Sequence, residues 1–514
     1  MFFTARATNG SYFLPTSRPT TSLPLRSFAR FKPGNEPFVP DHQIRTAMSM
    51  IHRIVFLVAL IAPVSAHAQS IAVGGGHGVA ICADSTVMTW GWNLSGQLGN
   101  GYPTLTGDCQ CFTYGAPVQY LDSVVQVTAG DFHTVVLRRD GTVREWGFGG
   151  SGALGYGSIP GNTCQCVALP VSPVNLPPLR KVAAGRDHTL GIALDSTVWA
   201  WGNNSHGQLG DGIGFAVLEP IHIADLDHVV AIGAGDEHSL AVKSDGTVWA
   251  WGDNSYGQLG DTTHTMRLAP VQVIGLTDVI AVDGGDKHSV ALKSDGTVWT
   301  WGWNNFGQLQ NSVAVDTAAA VQVQSISDVR AIASGWYHVV VLKNDSTVWS
   351  WGNGYEGEMG DGSNDVIAHE PRQASGLTGV VEIAAQRNST LAVRSDGAVR
   401  GWGYNYFGQL CDQTRINKNT PTPTFNVCPA AIALATNERP EQAHLRVAPN
   451  PFIDRFTVQA TGVMRFRLLS LTGKVVLSGM TTHGDIEASH LSGGCYLLEV
   501  SSSQGIARTR IVKY

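Results

Sequence analysis

Seven dipeptides, each just ahead of a histidine or of the residue that replaces it, hold the chain's most reactive unrepeated side chains. They are Gly75-Gly76, Asp131-Phe132, Arg186-Asp187, Asp236-Glu237, Asp286-Lys287, Trp336-Tyr337 and Arg387-Asn388. A second set of loops adds aromatics: Trp92, Phe148, His206, Tyr256, Trp303, Phe306, Tyr355, Tyr404, Tyr406 and Phe407. Aromatic rings among charges suit macromolecular recognition, either as interface hot spots or as platforms for sugar rings. Paired acids such as Asp236-Glu237 are also what a glycosidase uses, provided two carboxylates stand about 5–9 Å apart across a bond. Neighbouring acids in one variable loop read instead as a solvated rim. The chain holds no Gly-x-Ser-x-Gly elbow, His-Glu-x-x-His pair or Walker loop, so catalysis is not expected.

Six histidines, His77, His133, His188, His238, His288 and His338, each stand thirteen residues before the Trp of a Trp-Gly pair, and Ser389 takes the seventh place. A metal site needs unlike residues converging on one point. An identical register in every repeat points to a repeated structural hydrogen bond, so neither a metal nor a cofactor is expected. Two Cys-Gln-Cys units, Cys109/Cys111 and Cys164/Cys166, lack the histidines or the second matched pair that a zinc site requires, and read as disulfide or inert loop cysteines. Cys411 and Cys428 bracket one loop that they are placed to close, and Cys82, in a strand pattern, reads as a buried thiol.

What must position these loops is the repeat itself. Trp-Gly pairs begin at Trp90, Trp146, Trp201, Trp251, Trp301, Trp351 and Trp402, spaced 56, 55, 50, 50, 50 and 51 residues apart. In the fourth unit, Val229–Ile232 and His238–Lys243 read as strands, joined to a third, Thr247–Trp251, by a Ser-Asp-Gly hairpin turn whose glycine takes the positive φ. A fourth strand is expected over Pro270–Ile274, after the Gly257-Gln-Leu-Gly260 loop. Four antiparallel strands per unit, seven times over, describe a seven-bladed β-propeller, in which radial closure leaves only short edges. Alternating strand polarity then puts the loops after the first and third strands on one face, and the Asp-Gly turns on the other.

The segment Ala234-Gly-Asp-Glu-His-Ser-Leu-Ala-Val-Lys-Ser-Asp-Gly-Thr-Val-Trp-Ala-Trp-Gly252, with Asn254 and Gly257-Gln-Leu-Gly260, resembles the repeat of the regulator of chromosome condensation family. The resemblance recurs seven times over about 360 residues and implies the propeller fold and a habit of binding proteins. That family's nuclear founder is a nucleotide exchange factor on chromatin, and its secreted bacterial relatives include an inhibitor that caps β-lactamases. The founder's exchange-related insertion has no evident counterpart in this chain.

Composition agrees. Of 514 residues, 14% are charged, 59 are glycine and 14 are tryptophan, which suits short strands and tight turns. A net charge of −6 without a basic run argues against nucleic acid as a partner. Ahead of the repeats, Arg53, the apolar run Ile54–Ala62 and Ala66-His67-Ala68 form a secretory signal pattern. Residues 48–68 are therefore expected to be a signal peptide, and 1–47 a mis-start or disordered leader.

After the propeller (69–428) and a linker (429–444), residues 445–514 lose tryptophan and the period. Val447-Ala-Pro-Asn-Pro-Phe452, Leu471-Thr-Gly-Lys474, Gly493-Gly-Cys-Tyr-Leu497 and a basic final strand resemble the type IX secretion sorting domain, type A, a small β-sandwich. Cys495 stands where that family's Gly-x-Tyr strand has its variable middle residue. The resemblance implies export and handling by the type IX machinery.

The expectation is thus an all-β chain, a seven-bladed β-propeller followed by a small β-sandwich sorting domain. It would be secreted or held at the outer-membrane surface, monomeric, and not membrane-spanning. An extracellular protein or glycan would bind through Trp92, Asp131, Phe132, Arg186, Asp187, Asp236, Glu237, Tyr256, Asp286, Lys287, Trp303, Phe306, Trp336, Tyr337, Tyr355, Arg387, Tyr404 and Tyr406. Inhibition of an extracellular enzyme, as the β-lactamase relative performs, and a cryptic glycan or peptide hydrolase are the alternatives.

Overall fold

A computed structural model describes residues 70–101, 111–310, 315–425 and 427–428 of the propeller. In the tail it describes 446–448, 454–459, 464–470, 474–481, 484–502 and 505–513. The leader 1–47, the signal segment 48–68, the linker 429–444 and Cys109 lie outside the described residues.

Seven four-stranded antiparallel sheets follow one another in sequence, each paired strand to next strand without a crossover. The only helical element among the described residues is a short 3₁₀ turn at Gly150–Gly152. In the fourth blade the strands are Val229–Ala234, His238–Lys243, Val248–Gly252 and Arg267–Gln272. The outermost strand thus begins three residues earlier than the expected Pro270. Gly252 pairs with Arg267 and Trp249 with Gln272, with a bulge of two extra outer-strand residues after Ala250. Pro270 sits within this edge strand, where a missing N–H is tolerated.

Alternation of side chains across each strand builds the core. Trp251 and Ala241 face the third blade, packing with Leu190, Ile192 and Val198, while Leu240, Val242 and Val248 face the fifth and meet Trp301. Each Trp of the Trp-Gly pair is fully buried between blades. Its indole N–H donates to a backbone carbonyl of the preceding blade, as from Trp251 to Gln208 and from Trp301 to Gln258, both at 2.8 Å. Trp201 differs. Ala153 stands in the second blade where most repeats have Gln, and Trp201 donates to the Glu145 carboxyl instead, at 3.1 and 3.2 Å.

The histidines make the repeated hydrogen bond. His77, His133, His188, His238 and His338 each meet a Ser or Thr hydroxyl of the next blade: Thr134, Thr189, Ser239, Ser289 and Thr390, at 2.8–3.1 Å. Ser239 and Ser289 pass the bond on to the same carbonyls that accept from Trp251 and Trp301. At the sixth blade Val339 holds the hydroxyl's place, and His288 Nε2 is left without a partner.

Blade 1 closes against blade 7. Ile71, Met88 and Trp90 pack with Leu391, Val399 and Val427, and Trp90 donates to the Gln409 carbonyl at 2.7 Å. A disulfide between Cys82 and Cys428 spans the same seam. This corrects two expectations. Cys82 is not a free thiol, and Cys428 does not close a loop with Cys411, which is a buried free thiol. Closing the ring brings positions 346 residues apart in sequence to a Cα separation of 5.4 Å, a nearness that loop spacing does not reveal. Cys164 pairs with Cys166, and Cys111 is also disulfide-bonded.

The tail forms two sheets. One has Arg446–Ala448, Arg455–Gln459 and Asp485–Glu487; the other has Met464–Ser470, Val475–Thr481, Gly494–Ser502 and Gly505–Lys513. They enclose Phe456, Val458, Phe466, Leu468, Ile486, Leu498, Val500 and Ile511, which is the sandwich expected from alternating strands. No helix among the described residues is long and apolar enough to cross a membrane.

Candidate functional site: the paired-loop face

In all seven blades the two variable loops are bonded to each other. The first residue after the Trp-Gly pair donates its N–H to the carbonyl just before the histidine or its counterpart: Trp92 to Gly76, Phe148 to Phe132, Asn203 to Asp187 and Asp253 to Glu237. Trp303 to Lys287, Asn353 to Tyr337 and Tyr404 to Asn388 complete the set, all at 2.8–2.9 Å. Both loops therefore share one end of the propeller. Around the axis, backbone bonds run from one first loop to the next, among them Asp131 to Arg186, Asp236 to Gly285, Asp286 to Trp336 and Trp336 to Arg387.

The side chains nearest the axis turn inward. Asp131 is fully buried and held by Arg387 through Nε and Nη2, at 3.0 and 2.5 Å. Gly75 lies between them; a Cβ there would stand 2.8 Å from the guanidinium and from Asp131. Asp236, 4% exposed, accepts from the Trp336 indole at 3.0 Å, and the Arg387 guanidinium stacks on Trp336, 4.3 Å from its ring centre. Burial drives the Asp236 carboxyl well above the usual range, reinforced by the charges of Asp131 and Asp286. Burial likewise raises Asp286, and raises Asp187 to about 6. Tyr337, bonded to Asp286, is pushed up to about 12, first by burial and then by that neighbouring charge.

Asp131 and Asp236 are thus corrected from exposed contact residues to fastenings across the axis. The sequence places them in variable loops, yet an uncompensated acid next to a backbone ring is more stable with its charge satisfied inward. Trp336 is engaged in the same way.

Further out, the aromatics form two linked groups. In one, Phe148 meets Phe132, Phe132 meets Trp92, and Trp92 stacks on Phe407 at 4.7 Å, with Tyr404 and Tyr406 beyond. In the other, Tyr256, Trp303, Phe306, Tyr337 and Trp336 touch in series at 5.1–5.8 Å. Arg387 joins the groups, facing both Phe132 and Trp336. The arc so made crosses blades 4 to 7, 1 and 2. Where it breaks, charges take over: Lys287 bridges Glu237 and Asp253, and Arg186 lies near Asp187 and Glu237. Tyr406, Tyr355 and Tyr256 are the most solvent-exposed of the candidate rings, at 55%, 64% and 36%. Among the described residues no cluster of His, Cys, Asp and Glu is arranged to hold a metal.

Sequence comparison places this geometry. A family model of the RCC1-like domain matches residues 52–373, through the last strand of the sixth blade, and a regulator of chromosome condensation (RCC1) repeat matches 380–409 in the seventh. The chain belongs to the RCC1-like propeller family. Residues 446–514 match the secretion system C-terminal sorting domain, which marks the protein for type IX export to the outer-membrane surface or beyond.

Among curated relatives, the human probable E3 ubiquitin-protein ligase HERC6 is 33% identical over 142 residues, covering 27% of this chain and 13% of that protein. The Arabidopsis thaliana ultraviolet-B receptor UVR8 is 30% identical over 144 residues, covering 28% of this chain and 31% of that protein. The chain spans less than a third of the length of these relatives. Human WBSCR16 superposes with a TM-score of 0.59 at 24% identity, covering 66% of this chain and 94% of that structure. Prp20p from Saccharomyces cerevisiae gives 0.59 at 22% identity, covering 66% and 85%. These likenesses carry the fold.

Proposed function

We propose that the protein is an exported, non-enzymatic binding propeller that grips an extracellular protein on its paired-loop face. The observation that carries this reading is the aromatic arc over six of the seven blades, interrupted by fixed charges. Large half-buried rings beside satisfied charges are the composition of interface hot spots, and their mutual packing presets the surface before a partner arrives. The two acids most suggestive of hydrolysis are both engaged within the fold. Asp236 is buried against Trp336, and Glu237 is paired with Lys287, contacts that hold both in the packing of the face.

The test is recovery of a partner from the native cell surface by the immobilised full chain, compared with a Tyr256→Ala/Trp303→Ala/Tyr406→Ala variant. These rings stand on the arc without closing the axial bonds. The variant is expected to melt within a few degrees of the wild type and to lose the partner. Undiminished capture by a folded variant would place recognition elsewhere.

A further inference from the structure

Tyr355 departs from the pattern of its face. The other candidate rings rest on one another, whereas Tyr355 is 64% exposed and takes part in none of the ring contacts that build the arc. It borders a cleft of about 450 Å³ between the sixth and seventh blades, lined also by Glu356, Asn364, Val366, Asn417 and Asn419. Three amides, one carboxyl, one aliphatic side chain and one phenol make an unusual lining. No lysine or arginine is among them, which disfavours a phosphate, sulfate or uronate, and a single valine is too little apolar surface for a lipid chain.

The walls are preset. The Gly354 N–H bonds to the Val366 carbonyl at 3.3 Å and the Tyr355 N–H to Asn353 Oδ1 at 3.2 Å, which fixes the loop that carries the ring. The Asn417 amide donates to Glu356 and, through Oδ1, accepts from the Asn405 N–H at 2.8 Å. Asn419 donates to the Gly362 carbonyl at 2.9 Å, tying the seventh-blade wall to the sixth. Asn364 is exposed beside the ring.

We infer that this cleft binds a neutral sugar residue of an extracellular glycan, with Tyr355 stacking on the C–H face of the pyranose and the amides meeting its hydroxyls. An aromatic face offers apolar area and a negative quadrupole to polarised C–H groups. Amides both donate and accept, as vicinal hydroxyls require. The inference rests on reading this end of the propeller as the recognition face, but it uses residues outside the arc.

The experiment is calorimetric titration of the full chain with neutral hexose and N-acetylhexosamine oligosaccharides, with a polyuronate and heparin as charged controls. A neutral oligosaccharide is expected to bind. Tyr355→Ala and Asn364→Ala should each weaken it, roughly tenfold for the ring, without moving the melting temperature, and Tyr355→Phe should retain it. The Tyr256→Ala/Trp303→Ala/Tyr406→Ala variant should still bind the sugar, which separates failure of the cleft from failure of the arc. Absence of any neutral binder, preference for the charged controls, or affinity indifferent to Tyr355→Ala would overturn the inference.

Discussion

Arg387 of the seventh blade reaches over Gly75 of the first to hold Asp131 of the second, 256 residues earlier in the chain. The pair spans the closure of the ring, so it secures three blades at once. Removing the guanidinium leaves a buried carboxylate without its counter-charge, a loss that typically costs about 3–5 kcal/mol. Arg387→Met is therefore expected to lower the denaturation midpoint sharply. Gly75→Ala should do so by a smaller margin, because the added methyl crowds both partners. Chemical denaturation of the two variants checks this; a wild-type midpoint in Arg387→Met would show the pair to be dispensable.

His288 is the one histidine of the six whose next-blade partner lacks a hydroxyl, since Val339 stands where the others meet Ser or Thr. Val339→Thr supplies an acceptor for Nε2 and a donor towards the Gln308 carbonyl, which accepts from Trp351. A gain on the order of 1 kcal/mol is expected. Thermal unfolding of this variant, with Val339→Ala as the control for lost volume, reads the difference. Equal destabilisation in both would mean that the geometry cannot accept the bond.

Acid and alkali should both unfold the ring. Burial lowers His77, His188, His238 and His338 to about 3, and His133 and His288 to about 4. Groups depressed in the fold stabilise it above their unfolded pKa, near 6.5, and that support is lost as pH falls towards 4 and 3. The buried acids act in the opposite sense. Burial raises Asp283 to about 7 and Glu358 to about 8, and raises Glu145 and Asp236 well above the ordinary range. Their contribution is full below about pH 4 and lost as pH rises through the raised values. Burial raises Asp187 and Asp286 as well; since the histidines' support is complete only above about pH 6.5 while that of the raised acids is already falling, melting temperature should peak between about pH 6 and 7. Glu145→Gln should flatten the alkaline limb. A melting temperature that climbs steadily to pH 9 would contradict the assignment.

The seam disulfide offers a further test. Cys82–Cys428 closes a loop of 346 residues, so its reduction should cost about 2–5 kcal/mol. Cys82→Ser should match the reduced wild type, and reductant should then have little further effect on the variant. Melting curves with and without reductant, with thiol counts to confirm opening, decide the matter. An unchanged midpoint in fully reduced protein would assign closure to packing alone.

The fold was legible because its signals are periodic. The Trp-Gly spacing, the histidine thirteen residues before it and the turn glycine such as Gly246 each recur, and a repeated local signal reports a repeated blade. Strand edges were less legible: the outer strand begins three residues early, with a bulge of two extra residues opposite Ala250–Gly252, and bulges leave little mark on composition. The site was read at the level of loops but not of side chains. That the loop pairs share a face follows from strand polarity alone. That Asp131 and Asp236 turn inward depends on partners 256 and 100 residues away, Arg387 and Trp336, brought near by curvature that no local window contains. Cys82 and Cys428 were missed for the same reason. Glu145 accepts from Trp201 where a loop carbonyl serves the other six blades, and it stands at a strand position where the other repeats have Thr, Ala, Ser or Gly, so no repeated signal marks it.

Each blade is built from one uninterrupted stretch of chain, with no strand lent across the closure. The end of the seventh blade reaches the first at Cys82, 5.4 Å from Cys428 between Cα atoms, and Ile81 beside it pairs with Ser70, where the first strand begins. Nothing in the order of the blades therefore obliges the chain to start where it does. A gene rearranged to join the old ends through a short bridge, with new ends cut in the connection between the third and fourth blades, would encode the same ring entered at a different door.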